Sequence, residues 1–274
     1  MSNKLLKTFV FTFGILFVCF NSSAKAAENI SSDTSKKIIA SISPRMVTEV
    51  YDINVEYPEI FDGNQEQTLA YVQKYSTEKR AFLINTFKKS DKYFPKIVEV
   101  FEKYAVPEEF KILMALESEF NGKAVSRAGA VGYWQFMDEV AKDYGLRIAT
   151  SKSKQQGKKV VDDRMNFSKS TNAAARYLRD RAQELNNDWL LIAASYNWGI
   201  GNVKRAMKKT GLTNPGFWDI KKYLPTETKN YVMNFIAVSV IFNNYEKFLQ
   251  KDLRFERVII TRPVRPLILA GEDA

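Results

Sequence analysis

Residues 106–120, VPEEFKILMALESEF, decide the fold because a helix start is followed at once by an apolar face. Pro107 suits the first position of a helix, and Glu108 and Glu109 complement the positive end of the helix dipole. At about 100° per residue, the apolar face centres within roughly 50° of Glu117, while Glu119 points about 100° or more away. That face consists of Phe110, Leu113, Met114, Leu116 and Phe120. The pattern predicts a helix with one carboxylate turned toward the core.

A carboxylate in that position has two interpretations. Desolvation disfavours the charged form, so burial raises the pKa of Glu117 and favours an acid that is protonated near neutral pH. General acid catalysis requires such a group. Alternatively, Glu117 hydrogen-bonds a helix end or pairs with an arginine. Spacing alone leaves both interpretations open.

Helical spacing continues on both sides of this stretch. From Gln65 onward, apolar residues recur three and four apart, and a further segment of this kind runs from Lys92 to Tyr104. Ser168 can cap a long helix, and Pro225 precedes a last helix that reaches about Leu249. The sequence predicts a mainly α fold with an N-terminal helical extension.

Two stretches depart from helical spacing. Residues 152–159 are rich in Ser, Lys, Gln and Gly, which is typical of an exposed loop. RVIITRPVRPLIL (257–269) is rich in β-branched residues and predicts a short strand.

Residues 1–26 have the pattern of a secretory signal peptide. Two lysines begin it, a mostly apolar run follows from Phe9 to Phe20, and Ala24-Lys25-Ala26 is a small-x-small cleavage signal. A membrane anchor is the first alternative, but the run is short of the roughly 20 residues that a spanning helix needs. A lipoprotein signal at Cys19 is the second, although Val18 stands where such signals carry a small residue. We therefore expect an exported protein of the periplasm or cell envelope.

The composition excludes several kinds of chemistry. The chain has 274 residues, no histidine and one cysteine, Cys19, which leaves with the signal. Histidine-based acid–base catalysis, Ser-His-Asp and Cys-His nucleophiles, and the usual zinc sites are therefore excluded. The net charge is +10 and falls to +7 when the signal, with its three lysines and no acids, is removed; a basic exported protein favours anionic partners such as wall polymers or lipid head groups. No helix-turn-helix or zinc-finger pattern supports nucleic acid binding.

Two further constellations contain side chains suited to sugars. In SYNWGIGN (195–202), Tyr196, Asn197 and Trp198 offer polar groups for hydroxyls beside an aromatic plate for a sugar's C–H face. The alternative is a buried turn in which Gly199 ends a helix. In YLPTETKNYV (223–232), a glutamate and a tyrosine four residues apart share a helix face. The alternative there is an exposed glutamate that stabilises a helix start.

Taken in order, these segments resemble the lytic transglycosylase (SLT) domain family, which has a lysozyme-like fold and cleaves bacterial peptidoglycan. The motifs are Glu-Ser at 117–118, Gly-x-x-Gly-x-x-Gln-x-Met at 129–137, Ala-x-Tyr-Asn-x-Gly at 194–199, and a late helix with Glu227 and Tyr231-Val232. The resemblance covers about residues 90–250. It is greatest to the membrane-bound lytic murein transglycosylase D group, through residues 92–118 and the Leu-Pro-x-Glu-Thr form of the last motif.

The resemblance implies a role for each matching position. Glu117 corresponds to a single catalytic acid and base, with no metal or cofactor. The positions implied to bind substrate are Ser118, Ser126, Gln135, Met137, Tyr196, Asn197, Glu227 and Tyr231. Four positions depart from the family pattern: Tyr133-Trp134 replaces Leu-Met, Trp198 replaces a small residue, and Asp138 replaces a frequent proline.

The resemblance also implies a division of the chain. We expect a signal peptide at 1–26, a polar lead-in and helical extension at 27–90, the lysozyme-like lytic transglycosylase domain at 91–250, and a C-terminal tail at 251–274.

The implied reaction cleaves the MurNAc-GlcNAc β-1,4 glycosidic bond without water and leaves a 1,6-anhydro-MurNAc end. A lysozyme-like muramidase, which hydrolyses the bond, is one alternative, and a non-catalytic wall-binding module is another. The expected partners are peptidoglycan glycan strands, with peripheral envelope association and a monomeric state.

Overall fold

The computed structural model describes residues 46–148 and 161–263, and residues 46–263 fall within one compact unit. The predicted signal peptide and the predicted loop at 152–159 lie outside the described residues. Within the described ranges, no helix is both long and apolar enough to cross a bilayer.

Helices dominate this part of the chain, which confirms the mainly α-helical fold class. The helices are α1 (Gln65–Glu78), α2 (Arg80–Ser90), α3 (Phe94–Glu102), α4 (Lys111–Ser118), α5 (Asp138–Asp143), α6 (Phe167–Glu184), α7 (Trp189–Trp198), α8 (Ile200–Lys209), α9 (Phe217–Ile220), α10 (Thr226–Asn243) and α11 (Tyr245–Leu249). Two strands, β1 (Met46–Tyr51) and β2 (Val258–Pro263), pair antiparallel, with Met46 opposite Pro263 and Tyr51 opposite Val258. β2 lies in the stretch where the tail predicts a strand.

Helix α10 is the centre of the core. Its residues 235–241 are all buried, and the helix packs against α1, α4 and α7. A helical stretch that is buried on every side, as residues 235–241 are, is stable only when neighbours surround it. Phe235 contacts the rings of Phe61 and Phe110, at centroid distances of 5.5 and 5.0 Å. This packing joins α10 to the chain before α1 and to the start of α4.

The helix predicted from Pro107 is shorter than expected. Residues Glu108–Phe110 form a single 3-10 turn, and α4 then ends at Ser118. Glu119 and Phe120 follow in left-handed conformations, with φ of 48° and 65°. The helical phase assigned to Glu119 is therefore wrong. Its side chain is exposed for a different reason, the left-handed turn, and lies 3.6 Å from the Lys89 ammonium.

Two further helix boundaries differ from prediction. The cap of α6 is Asn166, whose side chain accepts a hydrogen bond from the Lys169 N–H, and not Ser168. The last helix is interrupted at Asn244 instead of running through to Leu249. The Asn244 amide donates to the Glu56 and Val240 carbonyls, at 2.6 and 2.8 Å. These bonds hold the chain at the break between α10 and α11.

Candidate active site

The Glu117 side chain lies at the C-terminal end of α4, where α10 crosses it. The Tyr231 hydroxyl on α10 donates a hydrogen bond of 2.6 Å to Glu117 Oε1. Burial raises the pKa of Glu117 from its ordinary value of 4.5 to about 7, and the Tyr231 hydrogen bond lowers it in part. The helical phase therefore correctly predicted that Glu117 is the carboxylate turned toward the core. Its partner is a tyrosine and not the arginine or helix end of the alternative interpretation.

Two other tyrosines, on α6 and α7, lie near this carboxylate. Tyr196 on α7 and Tyr177 on α6 meet edge to face, with ring centroids 5.4 Å apart. Burial first, and then the charge of Glu117, raise the pKa of Tyr196 and Tyr231 well above 10. These phenols therefore stay neutral at physiological pH. They add no second charge beside Glu117.

The loop of residues 121–137 covers the end of α4 and is fixed by three of the predicted site residues. Ser118 Oγ donates to the Tyr133 carbonyl at 2.8 Å, and the Tyr196 hydroxyl donates to the Trp134 carbonyl at 2.8 Å. The Gln135 amide donates to the carbonyls of Gly132 and Ala124, at 2.9 and 3.2 Å. Ser118 and Tyr196 thus hold the loop backbone against α4 and α7, while Gln135 joins two parts of the loop to each other.

The loop also depends on an unusual backbone and a close contact. Gly132 has φ of +86° and Gln135 has φ of +49°, both in the left-handed region. A Cβ at Gly132 would lie 2.0 Å from the Arg164 carbonyl oxygen, so only glycine fits there. Trp134 is fully buried and donates to Thr171 Oγ1 at 3.1 Å. The Trp134 departure from the family motif is therefore a core residue.

Arg164 anchors the end of this loop, and sequence reasoning missed it. The Arg164 side chain, 5% exposed, pairs with Asp162 at 2.7 Å and with Asp138 at 2.5 Å. It also donates to the Phe136 carbonyl at 3.2 Å. The Asp138 departure thus supplies an ion pair that a proline could not form. The Asp-Asp-Arg run at 162–164 was visible in the sequence, but nothing local indicates where it folds.

The remaining predicted residues have other contacts or are exposed. Asn197 Oδ1 accepts a hydrogen bond of 2.8 Å from Thr228 Oγ1, which ties α7 to α10. Glu227 is exposed one turn before Tyr231, and Met137 is 44% exposed at the loop end. Ser126 Oγ accepts from the Ala130 N–H at 3.0 Å. Within the described ranges, no hydrogen bond joins these four side chains to Glu117. Thr228 is a second residue that sequence reasoning missed.

The C-terminal end of α7 has the helix-ending Gly199 that was the alternative interpretation of SYNWGIGN (195–202). Gly199 has φ of +82° and closes α7, and its N–H donates to the Ser195 carbonyl at 2.8 Å. Tyr196, Asn197 and Trp198 are each partly exposed at this end. A helix cap and a candidate sugar surface therefore coexist in the same residues.

Comparison with known proteins identifies the class. Residues 99–215 match the Transglycosylase SLT domain family. The chain is 32% identical over 178 residues to the membrane-bound lytic murein transglycosylase D of Escherichia coli K12, an alignment that covers 64% of this chain and 37% of that protein. It is 28% identical over 148 residues to the membrane-bound lytic murein transglycosylase F of Cronobacter sakazakii, covering 49% of this chain and 25% of that protein. An inactive mutant of the lytic transglycosylase Slt from Pseudomonas aeruginosa aligns at 21% identity and a TM-score of 0.42, over 56% of this chain and 24% of that one.

Residues 99–215 therefore match the transglycosylase SLT domain family, and the resemblance inferred from the motifs is confirmed. The chain spans just over a third of the length of the first curated relative that it matches. The match lies inside the predicted 91–250 domain, whose boundaries stay a prediction.

Proposed function

We propose that this protein is a peptidoglycan lytic transglycosylase in which Glu117 serves first as acid and then as base. One observation carries the proposal: Glu117 is a half-buried carboxyl with a pKa of about 7, held at 2.6 Å by a neutral tyrosine. A group with that pKa is partly protonated at neutral pH and can both donate and accept a proton.

In the first step, protonated Glu117 donates its proton to the glycosidic oxygen between MurNAc and GlcNAc. The C1–O bond breaks, and GlcNAc leaves with the proton on its hydroxyl. Positive charge develops at C1 of MurNAc and is relieved by the substrate's acetamido group and by fixed dipoles at the site, such as those of Tyr196 and Asn197.

In the second step, the Glu117 carboxylate takes the proton from the muramyl C6 hydroxyl. The C6 oxygen attacks C1 and closes the 1,6-anhydro ring, which returns Glu117 to its protonated form. The Tyr231 hydrogen bond stabilises the carboxylate between the two steps. Atoms balance without water, metal or cofactor.

The surroundings of Glu117 favour this route over hydrolysis. Ordinary glycosidases use two carboxyl groups about 5 to 9.5 Å apart. Among the described residues, burial and Tyr231 account for the pKa shift of Glu117, and no second carboxylate contributes to it. Glu119 is turned toward Lys89, and Asp138 is paired with Arg164.

The other predicted site residues have three kinds of role under this proposal. Ser118, Gln135 and Tyr196 keep the 121–137 loop in place through backbone carbonyls. Ser126, Met137 and Glu227 are exposed and contact the sugar chain on either side of the scissile bond. Asn197, held by Thr228, keeps its amide N–H groups for sugar hydroxyls.

The proposal extends to the setting of the reaction. The protein acts after export, in the periplasm or cell envelope, with peptidoglycan glycan strands as its partner. It works as a monomer with peripheral envelope association and does not bind nucleic acid. The signal pattern at 1–26, the net charge of +10 and the membrane-bound relatives support this setting.

The test is a digest of purified peptidoglycan with the wild type beside Glu117→Gln, analysed by mass spectrometry. We expect products lighter by one water molecule than hydrolysed ones, and a loss of about 10³-fold or more in rate for the variant. Reducing ends would identify a muramidase, and binding without turnover a wall-binding module. Near-normal activity of Glu117→Gln would contradict the assignment of this residue.

A further inference from the structure

A concave surface lies between α1 and α10, outside the residues matched by the family model. This α1–α10 pocket has a volume of about 510 Å³. Tyr71, Tyr75 and Lys79 line it from the α1 side, and Asn230 and Asn234 line it from α10. Its size is within the range of small-ligand sites.

The pocket continues the stripe of α10 that reaches Glu117. Glu227, Asn230, Tyr231 and Asn234 lie at positions i, i+3, i+4 and i+7, so they follow one side of the helix. Tyr231 turns its hydroxyl to Glu117, whereas Asn234 accepts a 2.7 Å hydrogen bond from the Tyr71 hydroxyl on α1. The same side of α10 therefore contacts both Glu117 and the α1 side chain Tyr71.

The side chains of the pocket match the chemistry of a sugar. The rings of Tyr71 and Tyr75 are nearly parallel, 6.0 Å apart at 25°, and form a plate for C–H faces. In the described part of the chain, neither the Asn230 side chain nor the Asn234 amide nitrogen has a hydrogen-bond partner, so both can bind hydroxyls. Burial raises the pKa of Tyr75 to about 12, which keeps this plate uncharged.

The charge of the rim also fits a glycan strand that bears carboxylates. Lys74 pairs with Glu78 at 3.8 Å, while no described carboxylate lies within ion-pair distance of Lys79. Lys79 is therefore available to the acidic substituents of MurNAc residues.

We propose that the α1–α10 pocket is an outer saccharide subsite, which binds the glycan strand beyond the sugars at Glu117. This proposal rests on the proposed glycan substrate. It assigns α1 a direct part in substrate binding.

The test measures binding in the Glu117→Gln background, so that the strand stays uncleaved. The probes are a tetrasaccharide and an octasaccharide of alternating GlcNAc and MurNAc, titrated by calorimetry. We expect Tyr75→Ala to weaken octasaccharide binding about tenfold more than tetrasaccharide binding. Tyr75→Phe keeps the ring and should restore the affinity. Tyr51→Ala, on β1, is the matched control and should leave both affinities unchanged.

Equal losses for both oligosaccharides, or no loss for either, would overturn the proposal, as would failure of both oligosaccharides to bind. If Tyr75→Ala does not fold, the exposed pair Asn230→Ala and Lys79→Ala takes its place with the same criterion. The readout is binding and does not depend on the product released. A digest without anhydro ends would therefore contradict the proposed reaction while leaving this result interpretable.

Discussion

Glu117 is subject to two opposing effects on its pKa. Burial favours the protonated acid, and the Tyr231 hydroxyl favours the carboxylate. The balance leaves the pKa near 7, where both forms are populated. A residue that acts as acid and then as base needs this balance.

Replacing Tyr231 by Phe should shift the pKa of Glu117 in a known direction. Loss of the hydrogen bond to the carboxylate raises the pKa of Glu117 further, so the alkaline limb of the kcat/KM profile should move upward by about one pH unit. The rate should also fall, because the carboxylate formed in the first step loses a donor. The pH profile of peptidoglycan solubilisation checks both effects.

Tyr51→Phe is the control for this experiment, because Tyr51 donates a similar 2.8 Å bond to Glu49 on the terminal sheet. Its profile should match the wild type. An unmoved limb in Tyr231→Phe would show that this hydrogen bond does not set the pKa of Glu117.

The buried Glu117 carboxylate should also lower the free energy of unfolding at alkaline pH. Its folded pKa of about 7 exceeds its ordinary value of 4.5, so the folded state binds more protons between these values and stability falls as pH rises through that window. Glu117→Gln should therefore be more stable than the wild type by about 2 kcal/mol at pH 8, and nearly equal to it at pH 4. Urea unfolding at both pH values measures the difference. A variant less stable than the wild type at pH 8 would contradict the burial argument.

The core-facing position of Glu117 could be predicted from sequence, but its hydrogen bond with Tyr231 could not. The helical phase of α4 depends only on local spacing and identified Glu117 correctly. Tyr231 lies 114 positions away, and its contact depends on how α10 crosses α4. The motif resemblance included Tyr231 as a substrate residue and gave no indication that its hydroxyl meets the carboxylate.

At the scale of elements, the 121–137 loop depends on one glycine more than on its neighbours. Gly132 and Gly129 both have positive φ, at +86° and +89°. Only Gly132 lies against other backbone, since nothing lies within 4 Å of a Cβ built at Gly129. Comparing substitutions at Gly132 and Gly129 therefore distinguishes the cost of a steric clash from the cost of the left-handed backbone conformation.

Gly132→Ala should therefore destabilise the protein far more than Gly129→Ala. We expect about 1 kcal/mol for Gly129→Ala, from the left-handed conformation alone, and more than about 3 kcal/mol for Gly132→Ala, because the Arg164 backbone must move. The free energy of unfolding in urea distinguishes them. Equal free energies of unfolding for the two variants would mean that the Arg164 backbone can move away without an energetic penalty.

Element boundaries were less predictable than the elements themselves. Apolar periodicity identified the helical segments, because burial of one face imposes it. The end of α4 at Ser118 depends on two left-handed residues, and the break at Asn244 depends on a hydrogen bond to Glu56, 188 positions away. Neither leaves a periodic signal in the sequence.

For the whole molecule, 41 basic and 31 acidic residues give the net charge of +10. Attraction to an anionic wall should therefore weaken as salt screens it. We expect Glu117→Gln to co-sediment with insoluble peptidoglycan about tenfold less tightly at ~0.5 M than at ~0.05 M NaCl. Uncharged GlcNAc oligomers should bind independently of salt. Salt-independent wall binding would show that sugar contacts alone hold the protein.

The small sheet has a topological consequence. Met46 and Pro263 are cross-strand partners, so the described chain enters and leaves the unit at neighbouring points. A unit with adjacent ends can be spliced into a surface loop of a host protein, or circularly permuted, with little distortion of either. Probes placed on β1 and on β2 would therefore report on the same part of this unit.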